Sequence, residues 1–195
     1  MRRVTATRSA PERLHFTGDD EADRLLAGEP LALLIGFALD QQVSVQKAFS
    51  GPAELRRRIG HLGAARISAM DPEELAAAFR QRPALHRFPG AMAGRVQALC
   101  AHLVDRYGGD AGRVWTGASD GRDLQARLLA LPSIGEMKAR SLIAILGRRF
   151  HLELPGLDTV LPRYPTLGDV DSAEALAAYQ AQKRAWKAAH RAAGG

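Results

Sequence analysis

One segment constrains the chain more than any other. Residues 122–147 read as an amphipathic helix carrying Leu124, Leu128 and Leu129, then Leu131-Pro132-Ser133-Ile134-Gly135, then a second helix from Glu136 to Leu146. Pro132 stops the first helix, because its ring removes a backbone donor and crowds the preceding turn. Ile134 is placed to tuck back between the helices, and Gly135 leaves the start of the second one bare. The result is two helices joined by a tight hairpin. The second begins with unsatisfied N–H groups and a partial positive charge, which suits a phosphate.

The remainder points the same way. Asp71, Pro72 and Glu74 mark a helix start for 71–80. Met92, Val96, Leu99, Cys100, Leu103, Val104 and Tyr107 repeat at spacings of three and four along 91–107, and Gly108-Gly109 ends that helix. Further helices are expected at 20–27, 31–39, 52–59, 122–130, 136–147 and 172–191, the last capped by Asp171 with Glu174 in its first turn. No segment alternates as a strand does, so the expected class is all-α. The stretch 148–171 is the exception. Pro155, Pro162 and Pro165 forbid one continuous helix there, and so long a connection asks for a functional reason.

Composition then excludes several classes. The chain of 195 residues has a single cysteine, Cys100, which rules out an internal disulfide framework and any four-cysteine metal or cluster site; its place in an apolar helix stripe makes it a small core residue. No apolar run is long enough to span a membrane. Met1-Arg2-Arg3 is basic but no apolar stretch follows it, so a secretory signal is not expected; Arg2, Arg3 and Arg8 alone leave a short transit peptide open. His15, His61, His86, His102, His151 and His190 show no ligand spacing on a helix face, and neither a metal nor a cofactor is expected. Lys and Arg number 27 against 21 Asp and Glu, a net +6 that suits a polyanionic partner without requiring one. Phe37, Phe49, Tyr164 and Trp186 are the aromatic candidates for stacking.

The hairpin resembles that of the helix-hairpin-helix DNA glycosylase superfamily, whose motif reads Leu-Pro-Gly-(Ile/Val)-Gly followed by an Ala. Leu131, Pro132, Ile134, Gly135 and Ala139 match; Ser133 replaces the first glycine. Upstream, the family has an apolar helix ending in Leu-x-Gln-Gln-x-Ser, and this chain has Leu39-Asp40-Gln41-Gln42-Val43-Ser44. Two motifs in the right order make the resemblance more than local; it covers roughly residues 20–150.

The resemblance implies a helical domain over 28–150 and a second helical subdomain combining 1–27 with 151–195, with duplex DNA bound between them. It implies removal of a damaged base after the nucleotide has been flipped out. Gln41 and Gln42 would fill the gap in the duplex. Ser133, Ile134, Gly135, Met137, Lys138 and Arg140 would meet phosphate or the cleft rim. Asp158, in Leu157-Asp158-Thr159, would be the catalytic carboxylate, with Asp169 and Asp171 as rivals; the proline-rich sequence after it departs from the family's helical pattern. Bifunctional members carry a lysine where this chain has Met137. Lys138 is turned by about 100° on a helix, so hydrolysis by water without lyase activity is expected. A non-catalytic DNA-binding module is the alternative. The last helix, with Tyr179, Lys183, Arg184, Trp186 and Lys187 before His190-Arg191, offers a basic face for a DNA backbone. A monomer in the bacterial cytoplasm, at the nucleoid, is the expected setting.

Overall fold

No strand occurs among the described residues, 10–193 of this computed structural model, and the all-α expectation holds. Arg2, Arg3 and Arg8, and the side chains of Trp186, Lys187, His190 and Arg191, lie outside what is described.

Helix α1 (Asp20–Gly28) starts where Asp19 accepts the Ala22 N–H at 2.8 Å. Helix α2 (Pro30–Leu39) is buried at every residue after Pro30 and forms the middle of the molecule. Around it lie α3 (Val45–Ile59), α4 (Ala64–Ser68), α5 (Pro72–Arg80) and the long α6 (Pro89–Tyr107). A short α7 (Arg113–Thr116) leads to α8 (Gly121–Leu129) and α9 (Glu136–Arg148). After α9 come α10 (Leu157–Val160), a 3-10 turn (Leu167–Asp169) and α11 (Ala173–Ala193). The core is continuous from Leu14 to Leu176, with Phe49 edge-on to Phe16 at 5.1 Å and to Phe37 at 5.0 Å.

Three details depart from expectation. Helix α3 begins at Val45 and not near Pro52, because Ser44 caps it by accepting the Lys47 N–H at 3.2 Å. Pro52 then sits inside the helix; its missing hydrogen bond is outweighed by the burial of Val45, Ala48 and Phe49 that the extra turns allow. Helix α11 is capped by Ser172, which accepts the Ala175 N–H at 3.1 Å, and not by Asp171. On α6, Val104 stands 37% exposed although it keeps the periodicity of the buried stripe. Cys100 does lie in that stripe, and burial pushes its thiol up to about 12.

One irregular segment is heavily built. Residues 81–88 have no regular structure, yet Arg58, whose side chain is 4% exposed, donates to the carbonyls of Ala78 at 2.6 Å, Gln81 at 2.9 Å and Pro83 at 2.7 Å. Lys47 donates to the Ala84 carbonyl at 2.6 Å, and Leu85 is buried beneath. This segment carries His86 to the end of α2.

Candidate nucleic-acid interface

The hairpin forms as its sequence requires. Leu131 and Ile134 are buried, so the Ile134 side chain belongs to the core and only its backbone is left to a partner. Ser133 takes φ +68°, the left-handed conformation that the family's glycine would adopt without strain. Ser133→Gly is therefore expected to stabilise the fold by about 0.5 kcal/mol, net of glycine's greater freedom when unfolded; thermal unfolding of the two proteins compares them.

Gly135 precedes α9 with φ −93°, which any residue can adopt, and a Cβ there would meet nothing within 4 Å. The fold itself does not need glycine at this position. No side chain caps α9, so its first N–H groups have no side-chain acceptor at the cap, which is an open glycine. Met137 follows, 66% exposed, with the Tyr164 hydroxyl 3.9 Å from its sulfur. Arg140 pairs with Glu136 at 2.8 Å.

Lys138 turns inward. Its ammonium donates to the Ser133 carbonyl at 3.2 Å. Burial pushes its pKa down, the Asp40 carboxylate opposes that, and the Arg95 guanidinium adds to it. The side chain is thus tied back onto its own hairpin. Arg95, on α6, donates to the Gln41 side-chain carbonyl, and the Gln41 amide donates to the Ala38 carbonyl at 3.3 Å. Gln42 is exposed and left-handed at φ +56°, strain of the kind found where a loop presents a side chain to a partner.

His86 holds that loop from below. It is 2% exposed. Its Nδ1 accepts the Phe88 N–H at 3.0 Å, so Nε2 carries the proton and donates to the Gln41 carbonyl at 2.9 Å. Burial lowers its pKa, with Lys47 and Arg95 adding to the effect, against the hydrogen bonds to Gln41 and Leu39. The unfolded chain then binds a proton more readily than the folded one. Stability is fully present above about pH 6.5, the ordinary histidine value, and is lost progressively as pH falls from there through the lower folded value. His61, also lowered by burial, contributes with the same sign. The melting temperature of the wild type should fall between pH 7 and pH 5, and fall less steeply in His86→Gln.

Helix α11 covers one side. Gln46 and Gln180 exchange amide hydrogen bonds at 3.3 and 2.8 Å. Burial raises the Tyr179 phenol, with further pushes from Asp40, Tyr164 and Asp169.

Asp158 stands elsewhere. The turn that carries it packs on Gly121, at the start of α8, whose N–H donates to the Pro155 carbonyl at 2.9 Å. It also packs on Gly147, near the end of α9, through Leu157 and Leu161. Both anchors lie at the end of the α8–α9 pair opposite the hairpin, about 18 Å from Gly135 at 1.5 Å per helical residue. Asp158 itself is exposed. Asp169 is committed to structure: it accepts from Arg148 at 2.6 Å and closes a capping box with Thr166.

The structure joins Lys138 to Ser133 and Gln41 to Arg95 and His86, and leaves Asp158 at the other end of the α8–α9 pair. Of the stacking candidates, Phe37 and Phe49 are core residues and Tyr164 is exposed. Sequence reasoning missed His86, Arg95 and the exposed Phe88 under the Arg87 guanidinium, 5.3 Å from its ring centroid. A lone His and Arg carry no spacing signal; the loop that unites them is irregular. A separate cavity of about 450 Å³ opens between α1 and α3 among Asp19, Glu21, Lys47, Arg56 and Arg57, and no hairpin residue lines it. Compared with known proteins, the chain matches no family model and no curated sequence.

Proposed function

We propose that this protein binds duplex DNA through the hairpin and the Gln41–Gln42 loop and hydrolyses the glycosidic bond of a damaged base without lyase chemistry. The observation that carries this reading is the hairpin itself, whose second helix starts without a side-chain cap beside an open glycine. The same chain holds the Gln41–Gln42 loop in place through Arg95 and His86. The uncapped start of α9 supports a phosphate contact, and the exposed, strained Gln42 supports a gap-filling role. Met137 in place of a nucleophilic lysine supports hydrolysis by water.

Incubation of the full chain with duplexes carrying a single uracil, hypoxanthine, 8-oxoguanine or 7-methylguanine, followed by alkali, tests the activity. Strand cleavage at one lesion, dependent on alkali, is the expected result. Cleavage without alkali would indicate a lyase and contradict the hydrolytic reading. The non-catalytic alternative is favoured by the position of Asp158 at the far end of the helix pair; salt-sensitive binding with no base released would select it.

The Gly135 backbone offers a separable check. A Cβ at Gly135 meets nothing within 4 Å in the free protein, and φ −93° suits a β-branched residue, so Gly135→Val is expected to fold. The melting temperature should hold within about 2 °C, while duplex affinity falls about tenfold, the equivalent of one phosphate hydrogen bond.

A further inference from the structure

We propose that Tyr164 is the face on which an unpaired base of bound DNA stacks. This rests on the reading above that DNA lies on the hairpin, and it names the part of the DNA that the segment after α9 recognises.

The connection 148–171 is anchored on both sides of a short exposed tip. On one side Pro162 is buried, and Arg148 donates to its carbonyl at 2.7 Å. On the other, Thr166, Leu167 and Gly168 are buried, and the Thr166–Asp169 capping box closes the turn. The same Arg148 guanidinium reaches Asp169 at 2.6 Å, so one side chain spans the tip. Gly168 lies so close to α9 that a Cβ there would stand 2.6 Å from the Ala144 backbone. Between these anchors Arg163, Tyr164 and Pro165 are all exposed. Pro162 and Pro165, where this chain departs from the family's helical pattern, bracket the tip. Pro165 also restricts the backbone of Tyr164.

The tip returns to the hairpin. The Tyr164 hydroxyl stands 3.9 Å from the sulfur of Met137, the second residue of α9. Both side chains are exposed, so neither serves the core. Arg163, beside Tyr164, has no ion pair among the described residues, whereas Arg140 and Arg148 are paired with Glu136 and Asp169. A ring free to stack, next to a cation free to meet phosphate, is the combination that unpaired nucleotides take. In an intact duplex the neighbouring bases cover each base face. The ring reaches a face only where a base has left the stack. Stacking tolerates any base, because every base has a π-face. The tip therefore discriminates unpaired from paired, and not one base from another.

The probes are a duplex with one 2-aminopurine opposite an abasic analogue, and the same sequence fully paired. The wild type should prefer the first. Tyr164→Ala should lose about tenfold in affinity for it, the equivalent of one stacked base, and stay within about twofold on the paired duplex. Tyr164→Phe keeps the ring and should bind both within about twofold of wild type. Fluorescence reads the stacking directly: 2-aminopurine should be brighter when bound to Tyr164→Ala than to wild type. Melting temperature accompanies each variant, and Tyr164→Leu takes the place of Tyr164→Ala should that one fold poorly. Tyr164→Ala within about twofold of wild type on the unpaired-base duplex would overturn the assignment and leave hairpin binding standing. A wild type without preference between the two duplexes would do the same. A wild type that binds neither would overturn the DNA reading, and this assignment with it.

Discussion

Arg58→Ala is expected to cost about 4 kcal/mol of stability, among the largest effects of any surface-loop contact in the molecule. The guanidinium is enclosed, with a side chain 4% exposed, and it serves the carbonyls of Ala78, Gln81 and Pro83, where α5 passes into the 81–88 segment, as well as Glu54 at 2.6 Å. Removal leaves those carbonyls without their donor and Glu54 with only the exposed Arg57. The part-buried Ala78 acceptor costs about 1–3 kcal/mol when unsatisfied. The exposed Gln81 and Pro83 carbonyls turn to water, and the rest of the loss comes from the enclosed Arg58 stem and the broken pair with Glu54. The loop should loosen, and with it the His86 hydrogen bond that supports Gln41. Chemical denaturation gives the stability loss. Amide exchange adds a local test: Phe88, whose N–H is bonded to His86, should lose protection. A loss under 1 kcal/mol would mean that the loop is held by Leu85 and Lys47 alone.

Phe49→Ala is expected to cost a similar amount, about 4 kcal/mol, from transfer and cavity terms together. Phe49 is fully buried and touches two aromatic rings edge-on. It also explains Gly36. A Cβ at that position would stand 2.5 Å from the Phe49 ring, so glycine lets α2 and α3 approach. Phe49→Ala is expected to empty this space, while Gly36→Ala alone should also destabilise by overfilling it. The double variant should recover part of the loss of Phe49→Ala. Thermal unfolding of the three proteins measures that coupling, and strict additivity would contradict the packing described.

Much of this fold was legible because helices announce themselves. Asp71 with Pro72 gave the start of α5, and the three-and-four spacing from Met92 to Leu103 gave the buried face of α6. The helix expected at 52–59 starts earlier, at Val45, and runs through Pro52, since a local breaker is outweighed by burial that only tertiary contact supplies. Asp171 misled because Ser172, one residue on, is an equally good cap and lies in register. The site was legible where its parts are contiguous, as in the hairpin and in Gln41-Gln42. His86 and Arg95 were not legible, because their roles arise from an irregular loop crossing the end of α2. Asp158 is assigned through the family resemblance, on its Leu157-Asp158-Thr159 context. In three dimensions, the intervening helix α9 carries its turn away from Gly135, about 18 Å along the helix at 1.5 Å per residue.

The central claim is that the hairpin, the Gln41–Gln42 loop and their linking side chains form one surface for a DNA backbone. It is tested most directly by measuring the affinity of the full chain for a duplex oligonucleotide across a salt series. The expected plot of log K against log salt is linear and falls by about 0.9 per phosphate neutralised, with a lower affinity throughout for Gly135→Val at unchanged slope. Affinity that does not change with salt, or a Gly135→Val protein that binds as tightly as the wild type, would contradict it.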